Sequence, residues 1–233
     1  MEKVFVKNIA EGIEHVKKIL YTEVDRKTVL FLSGGSSPKS LYQELALEKK
    51  LYPASVALID ERYGASQHET SNEKMIKRTG LLNYFTTQQI SFYPILGLQQ
   101  ENLSREGTAE KYDETVRKLF FNIPRSVAIV SIGVDGHTAG IAPNRKDFIN
   151  PLFRNVSLLA GSFNDITGPF KERITLTFQA LSMIDYFVLW VFGNDKRHAL
   201  EKIFTPGSLE EIPGRFYNQP EISAKTVLIT DIQ

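Results

Sequence analysis

Short, wholly apolar runs alternate along this chain with segments of helical periodicity, and that alternation constrains the fold more than any other feature. The runs 28–32, 55–59, 127–132, 186–192 and 225–229 are rich in Val, Ile, Leu and Phe and read as strands. Between them, Ile9, Ile13, Val16, Leu20 and Val24 recur at helical spacing, which predicts an amphipathic helix over roughly 8–24. A helix should follow residue 38 with Leu41, Tyr42 and Leu45 inward, and further helical stretches fall near 71–83, 104–121 and 196–204. Strands without a polar face must be covered on both sides, which is the condition of a mostly parallel sheet. The expected fold is α/β: an open, doubly wound, mostly parallel Rossmann-like sheet with helices on both faces and room for a short antiparallel excursion. The 233 residues show no internal repeat and no low-complexity linker, and 42% are hydrophobic. That suits one domain over 1–233 better than two small ones.

Charge and cysteine content exclude several functions. Lys plus Arg (28) nearly balances Asp plus Glu (27), leaving a formal charge of +1, without the basic excess that tracks a nucleic-acid backbone. No nucleic-acid partner is expected. Cysteine is absent, which removes disulfides, thiolate catalysis and thiolate metal ligation and permits a reducing compartment. The opening residues contain no apolar signal core, and the apolar run 186–192 is far short of the roughly 18 residues of a membrane span. A cytoplasmic protein with no membrane partner, monomeric or a small homo-oligomer, is the plain expectation.

In doubly wound sheets, ligands sit beyond the C-terminal ends of the strands near the point where strand order reverses. Three polar motifs fall at such ends. The first, Gly34-Gly35-Ser36-Ser37 within 33–38, joins a strand to a helix. Paired glycines let N–H groups approach a ligand, Ser37 suits an N-cap, and Pro38 suits the first helical position. Free N–H groups and hydroxyls at a helix start form a natural phosphate site. The spacing matches neither a Walker loop nor a dinucleotide fingerprint. The alternative is a tight turn before a capped helix with no ligand.

The second motif is Asp60-Glu61-Arg62, followed by His68, Ser71 and Asn72 in one loop. The planar fork of Arg62 suits a carboxylate, hydroxyl or phosphate, and Asp60 could accept from sugar hydroxyls or orient Arg62. Glu61 reads as structural, and Ser71 or Asn72 as the cap of the next helix. A lone loop histidine such as His68 is usually just solvated.

The third motif runs from Gly133 through Asp135, Gly136, His137, Thr138 and Gly140. An imidazole exchanges protons near neutral pH, and His137 in this glycine-shaped turn is the best acid–base candidate among four histidines. Asp135 is the nearest carboxylate to orient it, while Thr138 and the backbone near Gly140 are candidate donors to an oxyanion. The alternative for His137 is a helix cap. No metal-ligand spacing is present, and no metal or cofactor is expected. Downstream, Arg173 precedes a helix-like stretch and Lys196 follows the strand-ending Gly193, so two cations from separate strand ends could clamp a phosphate dianion.

Taken in order, S-G-G-S-S-P at 33–38, D-E-R at 60–62 with His68 and Ser71-Asn72, G-V-D-G-H-T-A at 133–139, R-I-T-L-T at 173–177 and Lys196 resemble the 6-phosphogluconolactonase family. That family lies within the larger group that includes glucosamine-6-phosphate deaminase. The resemblance spans nearly the whole chain. The deaminase branch typically carries D-E-Y at the second motif and a glutamate soon after D-G-H. Here Arg62 replaces that tyrosine, and 138–143 contains no acid. Ser131 and Gly140 depart from a usual glycine and serine, Gly64-Ala65 stands where valine-proline is common, and 212–215 follows the pattern loosely. The resemblance implies hydrolysis of 6-phospho-D-glucono-1,5-lactone to 6-phosphogluconate in the pentose phosphate pathway, without cofactor. It implies His137 as general base, Gly34 to Ser37 with Arg173 and Lys196 on the phosphate, and Arg62 on sugar oxygens or developing charge. The rivals are deaminase or isomerase activity and a non-catalytic sugar-phosphate effector domain.

Overall fold

The computed structural model describes residues 1–97, 103–144, 157–164 and 170–233. Seven strands form one sheet in the order β1-β10-β9-β6-β2-β3-β5, and every neighbouring pair is parallel. They are β1 (Glu2–Phe5), β2 (Thr28–Leu32), β3 (Ser55–Leu58), β5 (Ser91–Tyr93), β6 (Arg125–Val130), β9 (Tyr186–Val191) and β10 (Thr226–Thr230). The central strands β2, β3 and β10 are buried at every position, as their unbroken apolar runs require. The chain winds from β2 through β3 to β5 on one side and from β6 through β9 to β10 on the other. The switch point therefore lies between β2 and β6, where Ser33 donates from its backbone N–H and its hydroxyl to the Ile129 carbonyl at 3.1 and 2.9 Å.

Helix α1 (Ile9–Glu23) starts at Asn8, whose side chain accepts from Glu11 N–H, and buries Ile13, Val16 and Leu20. Helix α2 (Lys39–Glu48) buries Leu41, Tyr42 and Leu45. The expected cap at its start is not made: the helix begins one residue later than foreseen, and the Ser37 hydroxyl is buried with no hydrogen-bond partner among the described residues. The helical stretch foreseen over 71–83 is two helices, α3 (Asn72–Arg78) and α4 (Leu81–Thr87), divided at Gly80 with φ +86°. Helix α5 (Arg105–Asn122) precedes β6. After it come α6 (Phe178–Met183), α7 (Arg197–Ile203) and α8 (Pro220–Ser223).

The antiparallel excursion is a second sheet of β4 (Asp60–Arg62), β8 (Glu172–Leu176) and β7 (Ala160–Asn164) in the order β4-β8-β7. The chain crosses from one sheet to the other at Ile59, whose N–H donates to Leu32 and whose carbonyl accepts from Leu176. Asp60 and Arg62, foreseen at the end of the preceding strand, thus stand on a short strand of their own, and Arg173 stands on its partner. Among the described residues no helix is long and apolar enough to cross a membrane.

Candidate functional site

The loops after β2 and β6 flank the switch point, and the small sheet leans over the same edge. Together they enclose a cleft of about 380 Å³. It is lined by Gly34, Gly35, Ser36, Ser37, Asp60, Arg62, His137, Arg173 and Lys196, so five separate stretches of sequence converge there. Asp135 stands behind the imidazole rather than on the wall. Ser33, Asn72, Ser131, Phe170 and Asp195 also line the cleft, and sequence reasoning gave them no ligand role. Phe170 carried no local signal, because its part depends on two arginines meeting over its ring.

The β2 loop offers an unfilled donor set. The backbone N–H groups of Gly34, Gly35, Ser36 and Ser37 donate to no described residue, so they remain available to an anion. Gly34 has a packing reason for being glycine: a Cβ there would lie 1.9 Å from the Asn72 amide. Asn72 is buried and donates to the Asp60 carbonyl at 2.8 Å, which ties this loop to the small sheet.

Arg62 and Arg173 face each other directly across β4 and β8. Like charges so placed repel, and the pair is destabilising unless something negative lies between them. Asp60 supplies part of that charge, its Oδ2 lying 3.5 Å from Arg173 Nη1, with both residues buried. The Arg62 guanidinium sits 4.4 Å over the Phe170 ring and that of Arg173 5.7 Å from it. Arg62 also donates to the Thr70 carbonyl at 2.6 Å. Burial lowers the tendency of Arg62 to hold its proton and Arg173 adds to this, against the attraction of Asp60. Lys196 is half-buried, and its Nζ donates to Ser131 Oγ at 3.1 Å. Burial holds it below the ordinary lysine value, partly offset by Asp195.

On the β6 turn, His137 Nδ1 lies 2.6 Å from Asp135 Oδ1, which also accepts from the His137 backbone N–H at 3.1 Å. A ring nitrogen bonded to a carboxylate carries the proton, so Nε2 presents its lone pair. Burial pushes the Asp135 carboxyl up, but the bond and charge of His137 outweigh it and leave the acid below its ordinary value. Gly133 makes the arrangement possible: a Cβ there would fall 2.1 Å from the imidazole.

The foreseen oxyanion donors are occupied. The Thr138 hydroxyl is buried, donating to the Ser131 carbonyl at 3.1 Å and meeting Tyr217 OH at 2.7 Å. Gly140 N–H donates to Thr175 Oγ1 at 2.9 Å. Glu61 is structural, accepting from Ser71 Oγ and the N–H groups of Arg62, Asn72 and Glu73. Ser71 caps α3. His68 bridges the Arg62 carbonyl and Thr70 and does not line the cleft. Among the described residues no three of His, Asp and Glu converge as a metal site would require.

Fold and cleft together define an α/β protein with a cationic crevice at the switch point of a parallel sheet. The family model for glucosamine-6-phosphate isomerases/6-phosphogluconolactonase matches residues 2–227, and the chain belongs to that family. A 6-phosphogluconolactonase of Helicobacter pylori strain J99 is 32% identical over 182 residues, covering 78% of this chain and 74% of that protein. One from a Nostoc species is 27% identical over 222 residues, covering 91% and 87%. The crystal structure of 6-phosphogluconolactonase from Thermotoga maritima shares the fold with a TM-score of 0.74 at 23% identity, covering 98% of each chain. That of the Shewanella baltica protein gives 0.77 at 20%, covering 98% and 95%.

Proposed function

We propose that this chain hydrolyses 6-phospho-D-glucono-1,5-lactone to 6-phosphogluconate, with His137 as general base. The observation that carries the reading is the Asp135-backed imidazole beside a cleft with three cations and four free backbone N–H groups. Two curated relatives named 6-phosphogluconolactonase support it at 32% and 27% identity. Water attacks the lactone carbonyl while Nε2 takes its proton, giving a tetrahedral oxyanion and an imidazolium that Asp135 stabilises. Collapse breaks the bond from C1 to the ring oxygen, and the imidazolium returns the proton to that oxygen. The net change adds OH to the carbonyl carbon and H to the leaving oxygen. Gly34 to Ser37, Arg173 and Lys196 hold the phosphate. Arg62 and Asp60 face the sugar oxygens, and Arg62 meets the developing negative charge. One domain over 1–233 and a cytoplasmic setting belong to the same proposal.

The test is lactone hydrolysis measured above the spontaneous rate, with glucosamine 6-phosphate offered separately. Enzyme-dependent loss of the lactone and no ammonia from the amino sugar are expected. Ammonia release without lactone hydrolysis would transfer the chain to the deaminase branch. Tight binding without turnover of either would make it an effector domain.

A further inference from the structure

Ser131 occupies the residue just beyond β6, between the turn that carries His137 and the turn that carries Lys196. Its two polar groups face different partners. The carbonyl accepts from the Thr138 hydroxyl, which also meets Tyr217 OH, so the backbone of Ser131 anchors the residue next to His137. The hydroxyl accepts from Lys196 Nζ at 3.1 Å, and Ser131 Oγ is the only hydrogen-bond partner of that ammonium among the described residues. Lys196 has a long, flexible stem, and ordering such a side chain costs rotamer entropy unless something holds its head.

We infer that Ser131 is a positioning residue: its hydroxyl fixes the Lys196 ammonium over the cleft, coupling the anion-binding lysine to the strand end that carries the base. The inference rests on the proposed anion role of Lys196. Any residue at 131 keeps the carbonyl that serves Thr138, so the two roles separate by substitution. Ser131→Ala removes the hold on the lysine and leaves the His137 turn anchored. The charged and titratable groups sharing the cleft with Lys196 are Asp195 from its own turn, His137 from the β6 turn, and Asp60, Arg62 and Arg173 from the small sheet. None of these donates to or accepts from Nζ. A hydrogen bond accepted from an ammonium favours its charged form.

The experiment compares wild type, Ser131→Ala and Ser131→Thr, which keeps a hydroxyl on Cβ. Affinity for inorganic phosphate is measured by calorimetry at neutral pH. In parallel, the pH midpoint for acylation of Lys196 by an amine reagent is read by mass spectrometry. Ser131→Ala should bind phosphate at least about tenfold more weakly, the loss expected for one hydrogen bond to a charged group. Its Lys196 should be acylated with a lower pH midpoint, and Ser131→Thr should return both readings toward wild type. With the lactone, KM should rise by the same factor while kcat stays within about twofold. Wild-type phosphate affinity and an unchanged midpoint in Ser131→Ala would overturn the inference while leaving lactone hydrolysis intact. A raised KM with an unchanged Lys196 midpoint would also overturn it, since Ser131 would then touch the sugar directly. A wild type that binds no phosphate would remove the role of Lys196 and the inference with it. Weaker phosphate binding in Ser131→Ala, in a protein that hydrolyses no lactone, would sustain the inference and sink the proposed function.

Discussion

His137, Asp135 and Gly133 act as one device, because the imidazole packs where a side chain at 133 would be. Replacing His137 by Asn removes the proton acceptor, and kcat should fall roughly 10²–10⁴-fold with Tm little changed. Turnover of a folded His137→Asn protein within tenfold of wild type would take the base role away from this residue. Gly133→Ala tests the setting rather than the group. Its methyl would stand 2.1 Å from the ring, so the imidazole must leave Asp135 or the turn must shift. We expect kcat to drop at least tenfold while phosphate affinity holds; a parallel loss of both would mean that the turn itself has collapsed. This site was legible in the sequence because its glycines, carboxylate and histidine lie within five residues. The oxyanion donors were not, since Tyr217 and Thr175, which engage Thr138 and Gly140, lie 79 and 35 residues away.

At the level of elements, the long apolar runs and most periodic helices were read to within one or two residues, while the stretch foreseen over 71–83 continues to Thr87. The short strands β1 and β5 escaped, being partly exposed edges with no unbroken apolar run. The strands β4 and β8 escaped for another reason: their charged residues mimic a loop until the register sets Arg62 opposite Arg173. The break at Gly80 was hidden within a continuous helical pattern. Its φ of +86° disfavours any side chain, while only Ala46 Cβ comes near, at 3.6 Å, so the strain of Gly80→Ala is conformational. The cost of about 1–2 kcal/mol should lower Tm by roughly 2–8 °C, and an unchanged Tm would mean that the α3–α4 joint relaxes freely.

The joint between α1 and α2 gives a pH dependence with a definite sign. Glu48 accepts from Lys17 and Tyr21, and these bonds hold its carboxyl down to about 2 from an ordinary 4.5. Lys17 is correspondingly raised by Glu14 and Glu48. A depressed acid stabilises the fold above its unfolded value and loses that contribution as pH falls toward the folded one. Wild type should therefore exceed Glu48→Gln in urea stability at pH 6, with the gap closing between pH 4.5 and about 2. A gap independent of pH would assign the contribution of Glu48 to packing.

For the whole molecule, the decisive relation is between two sheets. The parallel sheet was expected, and with it a site at the strand ends. The family resemblance implied that the β2 loop, His137, Arg62, Arg173 and Lys196 serve one site; the pairing of β4 with β8 that sets Arg62 and Arg173 there was not read, because sheet order is a property of tertiary pairing. The cleft gathers cationic and donor groups: Arg62 stands opposite Arg173, Lys196 is half-buried, and the backbone N–H groups of Gly34 to Ser37 have no acceptor among the described residues. A bound dianion answers all three, so inorganic phosphate should bind the native state and not the unfolded chain. At a hundredfold excess over Kd the linkage is worth about 2.7 kcal/mol, which for a chain of this size raises Tm by roughly 5–11 °C. Chloride at matched ionic strength should give a much smaller shift, because screening alone does not fill the donor set. Arg173→Gln should shrink the phosphate shift, and His137→Asn should keep it, since the imidazole is assigned to the water and not to the phosphate. Equal shifts from chloride and phosphate in wild type would reduce the crevice to a general cationic surface. Loss of the phosphate shift in His137→Asn would move the anion from the β2 loop to the imidazole and reverse the proposed orientation of the substrate.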